Sequence, residues 1–150
     1  MGDLIRMSIT MEKHLYEHMQ NLLQLHGYEN RSEFIRDMLR SRLVELEWER
    51  DRTVIGTITM VYDHDQRELN RKLMELQHQM HDNILATTHV HLDHNRCVEA
   101  VMIRGGAGTI QRLANQLRQQ KGVLHVSLSM STLGAEFRAE HPRPNHAEKV

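Results

Sequence analysis

Residues 84–104 read ILATTHVHLDHNRCVEAVMIR: two β-prone runs, 84–92 and 97–104, on either side of a short polar break. Val, Ile and Thr dominate both runs, and the Asp-His-Asn between them is turn chemistry, so the stretch is expected to form a hairpin. Working outward, VIGTITMVY (54–62) has the composition of another strand. QRELNRKLMELQHQM (66–80) places Leu69, Leu73, Leu76 and Met80 at helical spacing. After GGAG (105–108), taken as a short connection, TIQRLANQLRQQK (109–121) carries Ile110, Leu113, Ala114 and Leu117 on one helical stripe, and GVLHVSLSMS (122–131) reads as a last strand.

Strand, helix, strand, strand, helix, strand is the split βαβ order of ferredoxin-like domains. Before it, IRMSIT (5–10) alternates Ile5, Met7 and Ile9 with Arg6, Ser8 and Thr10, as one short strand would. Two helices follow. Leu15, Met19, Leu22 and Leu23 stripe the first, and Gly27 suits its left-handed end. Asn30 and Glu33 form a capping-box pair for the second, whose stripe runs through Phe34, Ile35, Met38, Leu39, Leu43 or Val44, and Leu46. A lone strand with two helices leaves an unpaired edge, which a second copy of the chain would satisfy. The charged segment ELEWERDRT (45–53) breaks the periodicity, so a hinge is expected near 48–53. The reading is thus an α+β chain: a strand–helix–helix domain over 1–50, a βαββαβ domain over 51–132, and a tail over 133–150 expected to be disordered.

Composition narrows the function. The chain has 150 residues, 39% hydrophobic and 26% charged, with a formal net charge of -1. Such a balance does not hold nucleic acid by bulk charge. No apolar run is long enough to span a bilayer, and the start lacks the apolar core of a secretory signal, so a cytoplasmic setting is expected. One cysteine cannot form an intrachain disulfide, which leaves Cys97 as a thiolate ligand or an inert thiol.

Histidine supplies 12 of the 150 residues, and five of them fall between His78 and Cys97. His89 and His91, two apart on a strand, share a face about 7 Å apart, while Val90 and Leu92 are expected to face the core. A three-residue loop, Asp93-His94-Asn95, would set Cys97 opposite His91 and Glu99 opposite His89. A two- or four-residue loop would set Leu92 opposite Cys97 and bury the thiol. The three-residue form commonly ends on a left-handed residue, which Asn95 tolerates. Imidazole plus thiolate suits zinc, copper or nickel, and Glu99 could orient His89 from behind. His78 points about 180° from its helix's apolar stripe, so it is placed to complete a neighbouring subunit's site, with His81 the weaker candidate. A lone histidine is more often structural, and His94, His125, His141 and His146 are read that way. Four protein ligands would leave no position for a substrate, and no nucleophile motif or phosphate loop stands out, so no enzyme activity is expected.

Paired across two copies, the 5–10 strands would form a ribbon presenting Arg6, Ser8 and Thr10 to base edges in the major groove of double-stranded DNA. Asn30, Arg31 and Ser32, at a helix start, could clamp a phosphate. Residues 1–50 carry 7 basic against 9 acidic residues, which argues for dependence on an effector.

Through GYENRSEFIRDMLR (27–40), VYDHDQREL (61–69), the His78 segment and HVHLDHNRC (89–97), the chain resembles the nickel-responsive transcriptional regulators. That resemblance covers about residues 5–131. It implies a ribbon-helix-helix DNA-binding domain joined to an ACT-like metal-sensing domain in a homotetramer, a dimer of dimers. It also implies one nickel ion per subunit, held in a square plane by His89, His91 and Cys97 with His78 of another subunit, and base reading by Arg6, Ser8 and Thr10. The helix after Tyr62 would be ordered by nickel and touch the DNA backbone through Arg67, where Gln66 replaces half of a usual basic pair. Residues matching Glu33 and Asp37 hold a second cation in some members. A repressor role in nickel homeostasis is what the same resemblance implies; the alternatives are a regulator answering cobalt, copper or zinc, and a metal-binding protein without DNA readout.

Overall fold

Alternation along β1 (Thr53–Asp63) decides which face of the sheet is covered. Val54, Gly56, Ile58, Met60 and Tyr62 are buried and the residues that alternate with them are not. The computed structural model describes residues 4–137. After β1 come α3 (Arg67–His78), β2 (Ile84–His91), β3 (Arg96–Gly106), α4 (Ala107–Arg118) and β4 (Val123–Ser131), preceded by α1 (Lys13–Leu25) and α2 (Arg31–Glu49). The strands form one antiparallel sheet in the order β2-β3-β1-β4, so the expected ferredoxin-like βαββαβ arrangement is present. Leu69 and Leu73 of α3 and Ile110, Leu113 and Leu117 of α4 bury against the same face as Ile58, Met60, Val101 and Ile103.

The described residues divide into two compact units, 42–133 and the remainder, 4–41 with 134–137. In the first of these, α2 contributes its last turns. Trp48, expected in a hinge, is instead buried with the sheet's core, its indole N–H donating to the Ser131 carbonyl at 2.9 Å. The indole lies where a Cβ on Gly56 would fall 3.1 Å from it, so the glycine makes room for the ring. Of the charged neighbours that broke the periodicity, Glu45, Glu49, Arg50, Asp51 and Arg52 are exposed, while Glu47 is half-buried beside this one large anchor. GGAG also differs from its expected role: β3 runs through Gly106 directly into α4. Asp51, in a left-handed conformation at φ 51, accepts a hydrogen bond from the Gly108 N–H at 2.7 Å and so caps that helix.

In the other unit, Met19, Leu23 and Phe34 form a small core with Tyr16, Tyr28 and Ile35 around it. Gly27 takes φ 70, and Asn30 Oδ1 accepts from the Glu33 N–H at 2.8 Å, which is the Asn30 half of the expected capping box. Leu15, Leu22, Met38 and Leu39 remain exposed. Residues 4–10 form no strand, for a β-ladder needs a hydrogen-bonding neighbour and a single chain offers that segment none among the described residues. A short 3-10 turn, Ala135–Phe137, opens the tail; the expected disorder of the tail beyond it, with His141 and His146, falls outside the described residues. No described helix is long and apolar enough to cross a membrane.

Removing the indole empties a packed site and orphans the Ser131 carbonyl. Trp48→Ala is expected to lower stability by about 3–5 kcal/mol in urea unfolding followed by circular dichroism.

Candidate metal centre

The β2–β3 turn sets the site. Asp93, His94 and Asn95 form the three-residue loop, with the Leu92 N–H donating to the Arg96 carbonyl at 2.8 Å. His91 therefore stands opposite Cys97 and His89 opposite Glu99. The turn closes by a different device from the one expected: Asn95 does not take a left-handed conformation. The Asp93 side chain does the work instead, Oδ1 accepting from the backbone N–H groups of Asn95 (3.0 Å) and Arg96 (2.8 Å) while the Arg96 Nε–H donates to Oδ2 at 2.7 Å.

Since β3 buries Cys97, Glu99, Val101 and Ile103 on the helix-covered side, His89 and His91 point to that side too. Val90 and Leu92, expected in the core, face the open side of the sheet and are 47% and 54% exposed. The reason is that helices cover one face only, and β2 is an edge strand.

The donors fall into two neighbouring groups. Cys97 Sγ lies 3.2 Å from His91 Nδ1, and the His64 ring packs edge-on to His91 at 5.3 Å between centroids. Ligand atoms of His64, His91 and Cys97 lie within 4.8 Å of one another. His64 was absent from the sequence-derived ligand set; its cue was its place just after β1, inside VYDHDQREL. Its backbone N–H donates to the Asn95 carbonyl at 2.8 Å, which ties the β1–α3 connection to the turn. The His64 Nδ1 is buried without a hydrogen-bond partner; the Asp65 carboxylate stands 3.1 Å away, off the hydrogen-bonding direction.

His89 belongs to the second group. Its ring is 5.0 Å from that of His91, and its Nδ1 lies 3.3 Å from the Tyr62 hydroxyl and 3.8 Å from Glu99. Tyr62 O–H donates to Glu99 Oε2 at 3.2 Å, and the Gln77 amide donates to Oε1 at 2.7 Å. Glu99, buried among apolar side chains, is thus held by two donors, in the position expected of a group that orients an imidazole. Burial, followed by the Glu99 charge, pushes the Tyr62 hydroxyl far above its ordinary range, so it stays a neutral donor. Burial, reinforced by Asp93 and Glu99, also raises the Cys97 thiol.

His78 ends α3, exposed, and lines with Tyr62, Gln77, His81, His89 and Glu99 a cleft of about 580 Å³. It does not join the three-donor cluster of its own chain. His81 lies one turn on, its Nδ1 2.8 Å from Asp82, and His94 is in the turn. Among the remaining candidates, Arg67 opens α3 and is exposed, and Arg6, Ser8 and Thr10 are exposed on the unpaired segment. Asn30, Arg31 and Ser32 stand at the start of α2, the Arg31 guanidinium resting 5.1 Å from the Tyr16 ring centre. Asp37 accepts the Tyr28 hydroxyl, one turn after Glu33.

Two imidazole nitrogens and a buried thiol converging at the partly roofed edge of the sheet, with His89 beside them and the His64 Nδ1 left unpartnered, suit a borderline divalent cation rather than Ca²⁺ or Mg²⁺, which favour oxygen. The family described as the NikR C terminal nickel binding domain matches residues 55–131. Over 91% of its length the chain is 44% identical to a nickel-responsive regulator of Geobacter sulfurreducens, covering 99% of that protein. It is 42% identical to another from Solibacter usitatus, over 92% of this chain and all of that one. An uncharacterized protein of Thermotoga maritima has a solved structure that covers 52% of this chain and 96% of its own at 23% identity, with a TM-score of 0.49.

Asp93 carries a testable consequence. The Arg96 hydrogen bond, followed by the two backbone N–H groups, lowers its carboxyl from 3.8 to about 2. A depressed carboxyl stabilises the turn above its unfolded value and ceases to do so as pH falls through the folded one. Amide exchange at Asn95 and Arg96 should therefore accelerate as pH falls from about 4 to about 2, beyond the acid trend of other loop amides, and Asp93→Ala should abolish that inflection.

Proposed function

The chain belongs to the family of nickel-responsive regulators, which are not enzymes, and on that premise we propose that it is a nickel-dependent, sequence-specific DNA-binding repressor. The observation carrying the nickel assignment is the rung that opposes His91 to Cys97, with His89 two residues along on the same face, backed by Glu99. His89, His91 and Cys97 of one subunit, with His78 of another, hold one ion per subunit, and the ion supplies positive charge and a fixed set of bond directions. His78, on the end of α3, lies outside the His64, His91 and Cys97 cluster of its own chain, and assembly into a homotetramer would bring His78 of another subunit to the donor set. Holding the thiol as a thiolate requires displacing a proton that burial otherwise retains, so metal uptake is proton-linked and strengthens as pH rises.

Glu99 is the connection from the donors to the rest of the domain. Gln77, which donates to it, directly precedes His78 on α3, so the last turn of that helix and His89 share one carboxylate. The first residue of the helix is Arg67, proposed to touch the DNA backbone. In the other unit, the 5–10 segments of two chains pair into a ribbon-helix-helix dimer. Arg6, Ser8 and Thr10 then face base edges, and Asn30, Arg31 and Ser32 face the backbone. Its exposed Ile5, Met7, Ile9, Leu15 and Leu22 support this reading, since such a dimer would bury an apolar face left open in one chain. Glu33 and Asp37 are the donors for a second, oxygen-bound cation.

Nickel titration followed by ultraviolet-visible spectroscopy tests the site. A thiolate-to-metal charge-transfer band should saturate at one ion per subunit and vanish in Cys97→Ala; the same spectrum in that variant would sink the thiolate assignment. For DNA readout, Arg6→Ala should lose specific binding in a nickel-dependent mobility-shift assay while taking up nickel as before. Unchanged DNA binding would remove the ribbon from the proposal.

A further inference from the structure

Outside this centre, histidines cluster on one other element. Residues 14–18 read HLYEH and lie on α1, which spans Lys13–Leu25. Four residues apart on a helix, His14 and His18 stack on adjacent turns with Cβ atoms about 5–6 Å apart. In one chain the buried side of α1 is set by Met19 and Leu23, and at 100° per residue the two histidines point roughly 120–160° away from it; from the whole Leu15, Met19, Leu22 and Leu23 stripe His14 points about 125° and His18 about 85° away, at the edge of that face. Both are exposed, so their rings are free to turn toward one another. Glu17 stands beside them, engaged only by Lys13 at 3.9 Å with both side chains solvated.

Two imidazoles at this spacing with an adjacent carboxylate are the helix-borne donors of His-x-x-Glu-His zinc motifs. Here the donors face open solvent, so the remaining coordination positions would be filled by water, and binding rather than hydrolysis is the chemistry available. We infer that His14 and His18 chelate a borderline divalent transition-metal ion on the outer face of α1, a site separate from the one on β2 and β3. The helix dipole opposes a cation in the first turn, and the Glu17 carboxylate offsets it. The chelate closes a loop around that turn, whose N-cap residue Glu12 makes no side-chain capping bond, and so acts as a staple on a helix start otherwise free to fray. The assignment does not depend on the function proposed above.

The test is nickel(II) chloride titration of the full-length protein, with the acylation rate of each histidine by diethyl pyrocarbonate read by peptide mass spectrometry. A coordinated ring nitrogen cannot be acylated, so His14 and His18 should become protected along one shared binding curve, while His26, just past the helix, should not. In His18→Ala the remaining imidazole loses its chelate partner, and protection of His14 should need roughly a hundredfold more metal. Acylation of His14 and His18 at the metal-free rate throughout would overturn the site. So would a His14 curve unchanged by His18→Ala, since it would mean that each imidazole binds alone.

Discussion

One carboxylate, that of Asp93, governs the chemistry of the whole sheet edge. By closing the turn over two backbone N–H groups and the Arg96 side chain, it makes the loop three residues long and sets His91 against Cys97. Side chains alternate along a strand, so a slip of one residue would turn both histidines to the open face and leave the thiol opposite Leu92. The donor cluster is therefore a property of register, and register here rests on a solvent-exposed turn that also holds the β1–α3 connection through His64.

A second constraint is that helices cover one side of the sheet. On β2, at the edge, the covered side is only partly roofed: Cys97 and Glu99 on β3 are buried, while His89 and His91 one strand out are exposed. The site thus grades from a dry interior to a wet rim across about 5 Å, the spacing of neighbouring strands. That gradient separates the work of the side chains. The buried pair is fixed in position, Glu99 through Tyr62 and Gln77, and the exposed imidazoles stay open to solvent.

Much of this was legible in the sequence because alternation and helical stripes report burial directly. The βαββαβ order, the face shared by His89 and His91, Glu99 opposite His89 and the Asn30 cap all follow from local pattern. What could not be read depends on which face is roofed and on what lies far away in sequence. Val90 and Leu92 look like core residues until the helices are seen to lie on the other side. Trp48 sits among charges, and only the cavity above Gly56 explains its burial. His64 needed the β1–α3 connection to be folded against the β2–β3 turn. The 5–10 segment alternates as a strand should, and what it lacks is a neighbour, which no property of a single chain provides.

The burial of Trp48 bears on how such a protein can be recombined. By composition the natural place to cut lies in the charged stretch between α2 and β1, yet the sheet domain reaches back across that cut for an indole and for Asp51 at the head of α4. Shuffling of the two units, in evolution or at the bench, therefore has its usable seam inside α2, ahead of Val44. A sheet unit transplanted without the end of that helix and Asp51 would arrive with an empty slot over Gly56 and a bare helix start.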